Sequence, residues 1–379
     1  MNEYKRLGDY IREVNVRNRD LKVTNLLGVS ISKDFIPSIA NTIGTDMETY
    51  KVVQRRQFAY GPVTSRNGDK VSIALLHEYE EAIISQAYTV FEVIDCEQLL
   101  PEYLMMWFCR PEFDRYARFH SHGSAREIFD WDELCDVQLP IPSIARQREI
   151  VAEYETLTQR IRLNEQIIQN LETTAQTLYR KMFVDGIDKE NLPEGWRMGT
   201  IGEFCKEIKS GGTPSRSHNE YWDKKDYPWL KSGEVHNNIV VDVEEYISEI
   251  GLKNSSAKVI PSGTIIMAMY GATAAQVAYL SCDTTTNQAC CNMICHSKED
   301  AAYLYFHLLA NQEEIKKLAN GGAQENLSQE LISQQPIILL ENQDRKSMFV
   351  PILDNLIGRY RENKNLTELQ SLLLVRLGE

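Results

Sequence analysis

Several features are missing from this sequence, and each absence excludes something. No run of about 18 apolar residues occurs, which is what a membrane-crossing helix needs, so no membrane partner is expected. The opening Met1-Asn2-Glu3-Tyr4-Lys5-Arg6 passes into a fold-like pattern without an apolar stretch, so a cytoplasmic chain without a secretory leader is expected. The eight cysteines show no disulfide-framework spacing and read as reduced thiols. Cys290, Cys291, Cys295 and His296 lie close together but lack a paired Cys-x-x-Cys, so a buried strand is expected there rather than a zinc site.

Catalytic motifs are missing too. Gly211-Gly212-Thr213-Pro214 is not followed by Gly-Lys-Ser/Thr and so is a turn, not a phosphate-binding loop. No Asn-Pro-Pro-aromatic run, the mark of adenine amino-methylation, is present. Glu207-Ile208-Lys209 is half of a nuclease carboxylate–lysine motif without an aspartate on a preceding strand. No Ser/His/Asp set stands out, and nothing singles out any of the seven histidines as catalytic. A non-enzymatic chain that binds neither metal nor cofactor is expected. Positive charge is also in deficit: 41 Lys and Arg face 54 Asp and Glu, a net charge of −13. Phosphate contact normally draws on a basic surface. A nucleic-acid partner would therefore meet local basic clusters, or a second protein would supply much of the contact.

What the sequence does contain is itself, twice. Leu7-Gly8-Asp9-Tyr10 returns as Ile201-Gly202-Glu203-Phe204, and Ser85-Gln86-Ala87 as Asn287-Gln288-Ala289. His122-Gly123-Ser124-Ala125-Arg126-Glu127 returns as Asn320-Gly321-Gly322-Ala323-Gln324-Glu325, and Pro140-Ile141-Pro142 with Gln147 as Pro336-Ile337-Ile338 with Gln343. The order is kept at an offset of about 200 residues, which marks a tandem duplication.

Each copy ends in a helix. Ile150, Tyr154, Leu157, Ile161, Asn164, Ile168, Leu171, Ala175, Leu178 and Met182 alternate steps of four and three, an unbroken heptad seam. Asn164, polar within it, is suited to fixing register. The second seam is Val350, Leu353, Ile357, Tyr360, Asn363, Leu366, Gln370, Leu373 and Leu377. Successive steps of three around Asn363 form a stammer, and Pro351 fits only the first helical turn. Neither seam has a partner in its own globular unit, so the two helices are expected to pair, antiparallel. Within the units, 82–93, 263–269 and 290–294 read as strands, and 101–118 and 298–319 as helices. The fold class is α+β: two mixed α/β domains separated by two long helices that pair as an antiparallel coiled coil. The boundaries expected are 1–144, 145–190, 191–340 and 341–379.

The remaining chemistry is binding chemistry. Lys51, Arg55, Arg56, Tyr60, Arg66, Asn67 and Lys70 mix cations with groups able to read base edges, and Ser124 and Arg126 add donors. The second copy offers Gly211, Thr213, Ser215, Arg216, Lys231, Tyr270, Thr273, Asn287, Gln288, Gln324 and Asn326. Any one of these could be a solvated turn residue, but polar groups recur at matching points of both copies.

At these residues the sequence resembles the specificity subunits of Type I restriction–modification systems, over essentially the whole chain. The first copy carries Ser38-Ile39-Ala40-Asn41-Thr42, Phe58-Ala59-Tyr60 and Gly123-Ser124-Ala125-Arg126 with Phe129-Asp130-Trp131. The second carries Leu192-Pro193-Glu194-Gly195-Trp196, Gly211-Gly212-Thr213-Pro214-Ser215, Gly271-Ala272-Thr273, Thr286-Asn287-Gln288-Ala289 and Asn326-Leu327-Ser328. The resemblance implies that each unit is a target-recognition domain reading half of a split site in double-stranded DNA. It implies that the helices dock two methyltransferase subunits acting on adenine N6, with restriction (motor-nuclease) subunits able to join. S-adenosylmethionine, Mg and ATP would then sit on those partners. The second helix ends at Leu374-Val375-Arg376-Leu377-Gly378-Glu379, shorter than the usual ending of the family it resembles. A helix of about 40 residues is roughly 60 Å long, and its length would set the gap between half-sites. Inserting one heptad after Ala175, with a match in the second helix, should lengthen the spacing of the methylated motif. The other reading of the same pattern is a coiled-coil scaffold without DNA readout.

Overall fold

The structure is a computed structural model and describes residues 4–38, 44–65, 68, 70–123, 126–319 and 326–378. The chain divides into two compact units, Met1–Arg160 with Leu366–Glu379, and Ile161–Asn365.

In the first unit, Tyr4–Arg6 pairs antiparallel with Gln138–Pro140, closing the globular part end to end. Its main sheet is antiparallel, in the order Ile11–Val14, Thr89–Val93, Phe58–Tyr60, Ile73–Leu75. Strand alternation sorts its side chains. Phe58, Tyr60 and Phe91 face a core with Leu104 and Phe108, while Ala59, Ala74 and Val90 face a second cluster with Leu27 and Val53. The run expected as one strand over 82–93 is two, Glu81–Ile84 and Thr89–Val93. A turn over 85–88 separates them, closed by the Tyr88 amide donating to Ser85 O at 3.1 Å. The helix expected over 101–118 is likewise two, Pro101–Phe108 and Pro111–Phe119. Each begins on proline, whose missing N–H costs nothing in a first turn but would break an interior.

The second unit repeats the plan. Trp196–Thr200 pairs with Pro336–Leu340. A five-stranded mixed sheet runs Glu207–Ser210, Cys290–Ile294, Ile265–Ala268, Val277–Leu280, Asn238–Val240. Ile265 and Met267 face the helix-packed core, whereas Ile266 and Ala268 face the other side. A four-stranded sheet runs Glu245–Ile247, Tyr227–Leu230, Thr284–Thr286, Val259–Ile260. The expected helix over 298–319 breaks at Asn311 into Lys298–Ala310 and Gln312–Lys317. One buried contact shows the duplication in detail: Tyr103 OH donates to Pro140 O at 3.1 Å, and Tyr303 OH to Ile338 O at 3.0 Å, so the closing strands match Pro140 to Ile338, two residues on from the Pro336 that the sequence repeat set against it.

The long helices are Ile144–Phe183 and Val350–Arg376, with Pro351 in the first turn of the second. Their pairing is antiparallel within each unit. In the second unit Asn164 Nδ2 donates to Asn363 Oδ1 at 2.8 Å, and Phe183 meets Phe349 at 6.2 Å between ring centres. Ile168, Leu171 and Leu178 share one cluster there with Leu353, Ile357 and Tyr360. In the first unit Gln370 Nε2 donates to Thr158 Oγ1 at 2.7 Å. Leu157 and Leu373 line one groove, and Tyr154 packs in the cluster holding Leu374 and Leu377. Ile161 and Leu366 are half-buried.

Candidate nucleic-acid interface

The second unit gathers its polar candidates on one rim. The strand Glu207–Ser210 leads into Gly211, where a Cβ would lie 2.1 Å from Thr286 O, so only glycine lets the loop approach the strand Thr284–Thr286. The Gly212 amide donates to Thr286 O at 2.8 Å. Two indoles clamp the loop from Gly212 to Ser215: Trp229 Nε1 donates to Gly212 O at 3.0 Å and Trp222 Nε1 to Ser215 O at 3.2 Å. Thr213 donates to the Gln288 side chain, and Ser215 bonds Ser217 at 2.7 Å.

Arg216 lies over the Trp222 ring with its guanidinium carbon 3.5 Å from the centroid, and its Nη1 is 2.6 Å from Glu245. Lys231 Nζ meets Glu245 at 3.1 Å and Glu244 at 2.7 Å. Its bond from Arg216, then that from Lys231, holds the Glu245 carboxyl below the usual range, while Glu244 and then Glu245 hold the Lys231 ammonium above its own. Asn287 donates its amide to Leu230 O at 3.0 Å, and Thr273 Oγ1 donates to Ser232 O at 3.0 Å. Exposed Tyr270 bridges to Asn326 beside the short turn Gly271–Thr273. Sequence reasoning missed Trp222, Glu244 and Glu245. An acidic residue carries no local signal of DNA contact, and Trp222 matters through the seat it gives Arg216, which only the folded loop shows.

The first unit disperses its candidates. Arg55 pairs with Glu80 and donates to His77 O at 3.0 Å. Arg56, at φ 65°, forms a two-bond fork with Glu102, each bond 2.9 Å. Tyr60 requires correction as a base-reading group. It is 1% exposed, its ring packs against Phe91, and burial pushes its phenol well up, so it belongs to the core. Phe58 pairs with Leu75 and Tyr60 with Ile73, so Arg55 and Arg56 lie beyond one end of that hairpin and exposed Lys70 precedes the other. Exposed Arg126 shares the Lys70 end, because Phe129 N donates to Pro62 O at 2.8 Å and Val63 bridges to Ile128. Gly123, at φ +135°, allows that approach: a Cβ would lie 2.1 Å from Arg126 O. Lys51 is buried and meets Glu13 at 3.7 Å. Arg66, Asn67, Ser124 and Gln324 lie outside the described residues.

Cys290 and Cys291 face opposite sides of their sheet, so one ion could not take both. Burial pushes the Cys291 thiol up to about 12, which leaves it protonated.

A family model described as Type I restriction modification DNA specificity domain matches residues 35–173 and 193–369. The chain is 24% identical to the Type I restriction enzyme HindI specificity subunit of Haemophilus influenzae, over 89% of each chain. It is 28% identical to the EcoR124I/EcoR124II specificity subunit of Escherichia coli, over 44% of this chain and 41% of that one. Its fold is similar to the crystal structure of a Type-I restriction-modification S subunit from M. genitalium, with a TM-score of 0.60 at 14% identity, covering 100% of this chain and 96% of the other.

Proposed function

Because the chain belongs to the family of Type I restriction modification DNA specificity domains, we propose that it is the non-catalytic DNA-reading subunit of a Type I restriction–modification complex, each unit reading one half of a bipartite site. The observation that carries this reading is the duplicated unit, matched twice by the family and built twice on the same closing strands and buried tyrosine. In the second unit the contact surface is the rim of Gly211, Thr213, Ser215, Arg216, Lys231, Tyr270, Thr273, Asn287, Gln288 and Asn326. In the first it is the end carrying Lys70 and Arg126. Double-stranded DNA is one partner.

Two methyltransferase subunits are the others, with restriction subunits joining where the complex also cleaves. S-adenosylmethionine, Mg and ATP belong to those subunits, and this chain supplies selection. Each long helix offers them exposed apolar residues of its own: Leu163 and Ile167 on the first, and Leu369, Leu372 and Val375 on the second. The setting is cytoplasmic; among the described residues no helix is long and apolar enough to cross a membrane.

Single-molecule sequencing for N6-methyladenine tests the proposal, in cells that express the chain with its methyltransferase partner and in cells lacking only this chain. A bipartite motif that appears with the chain is the expected result. An unchanged methylome, with the partner active and bound, would leave a coiled-coil scaffold in its place.

A further inference from the structure

Resting on that reading, we propose that Arg216 recognises a guanine in the half-site read by the second unit, and that Glu245 is the residue that positions it. The guanidinium plane is set from two directions. Trp222 lies beneath it at 3.5 Å, and Trp222 is itself held by its bond to Ser215 O and by edge-on packing against Trp229 at 4.9 Å and 87°. Glu245 takes Nη1 at 2.6 Å, and Lys231, 3.1 Å from Glu245, anchors that carboxylate in turn. Glu245 also sits opposite Trp229 in the strand register, so carboxylate and indole share one rigid support. With Nη1 committed, Nε and Nη2 are the donors left to make two parallel bonds. The Arg216 side chain is 54% exposed, so those donors can reach a ligand.

Guanine presents two acceptors, N7 and O6, at the spacing of such a fork, whereas adenine sets an amino donor where O6 would be. A side chain already fixed in its binding geometry loses little further freedom on contact. The local charge argues against a phosphate contact: Arg216 and Lys231 are met by Glu244 and Glu245, and the Glu234 carboxylate accepts from the Lys231 and Glu244 amides, so this part of the rim has no positive excess with which to draw the backbone.

The test uses the complex of the full chain with its methyltransferase subunits. Methylation rates are compared on DNAs carrying each base at every position of both half-sites. Arg216→Ala should lower the preference for guanine about 10- to 100-fold at one position of one half-site, leaving the other half unchanged. Glu245→Gln should lower it at the same position without weakening binding to unrelated DNA. Replacing that guanine by 7-deazaguanine, which lacks the N7 acceptor, should slow the unaltered complex and leave Arg216→Ala indifferent. Arg216→Lys keeps the charge and guards against a folding artefact: it should melt like the parent yet lose discrimination. An unchanged base preference in Arg216→Ala would overturn the proposal, as would a uniform loss on all sequences with a shallower salt dependence, the mark of a phosphate contact. Absence of any sequence preference in the unaltered complex would instead overturn the underlying reading.

Discussion

At Gly211 a missing side chain is a positional requirement. A methyl group there would meet Thr286 O at 2.1 Å and Asn287 O at 2.5 Å, both backbone atoms of a buried strand end and its continuation. Gly211→Ala should therefore lift the loop off the strand and loosen the Thr213–Gln288 bond and the seat of Arg216. Overpacking of this kind costs about 1–3 kcal/mol, visible as a lower denaturation midpoint. In the methylome, the half-site read by the second unit should relax while the other stays intact; relaxation of both, or of neither, would detach this loop from recognition. The sequence marked Gly211-Gly212-Thr213-Pro214 as a turn, but the reason glycine is required lies far along the chain, at Thr286 and Asn287. Tyr60 shows the opposite case. Alternation in Phe58-Ala59-Tyr60 already places it on the face of Phe58, so the signal for a core residue was present and its hydroxyl outweighed it.

Among the elements, the long helices were legible because their seam is local and periodic, and Asn164 meets Asn363 within it. The mixed sheet was not, since pairings such as Asn238–Val240 with Val277–Leu280 are parallel and set by contacts remote in sequence. The helix Lys298–Ala310, read from the sequence within 298–319, is buried through 300–308 and so lacks the polar face of a surface helix. Inside it, His307 Nδ1 lies 2.6 Å from Tyr179 OH on the first long helix. Burial, then the charge of Lys189, lowers this imidazole from 6.5 to about 4. Above pH about 6.5 neither the folded nor the unfolded chain protonates it, and its full contribution to stability is present. Between about 6.5 and about 4 the unfolded chain takes the proton and the folded chain does not, so stability falls by about 1.4 kcal/mol per pH unit. Moving from pH 7 to pH 5 should thus cost roughly 2 kcal/mol from this group, read from denaturant midpoints. His307→Gln should flatten that slope, and an equal slope in the variant would assign the acid sensitivity elsewhere.

At the scale of the whole molecule, the net charge of −13 has to be reconciled with a DNA partner. The candidate cations are largely committed: Arg55 to Glu80, Arg56 to Glu102, Arg216 to Glu245 and Lys231 to Glu244. Contact between one of these cations and a phosphate exchanges one anion for another and leaves a carboxylate behind, so little of the counterion release that drives DNA binding is gained. Affinity falls with salt by a log–log slope of about −0.9 per phosphate neutralised. The isolated chain should therefore bind duplex DNA weakly, in the roughly 10⁻⁴ to 10⁻⁶ M range of non-specific contacts, losing what it has as salt rises. Adding the methyltransferase subunits should tighten binding and steepen the slope together, because their cations then carry the backbone contacts while this chain carries base selection. Titrating labelled duplex at several salt concentrations, with and without those subunits, measures both quantities. A tight site-specific complex formed by the chain alone at physiological salt would mean that its acidic surface is turned away from a basic face strong enough to hold DNA unaided, and this division of labour between the subunits would fail.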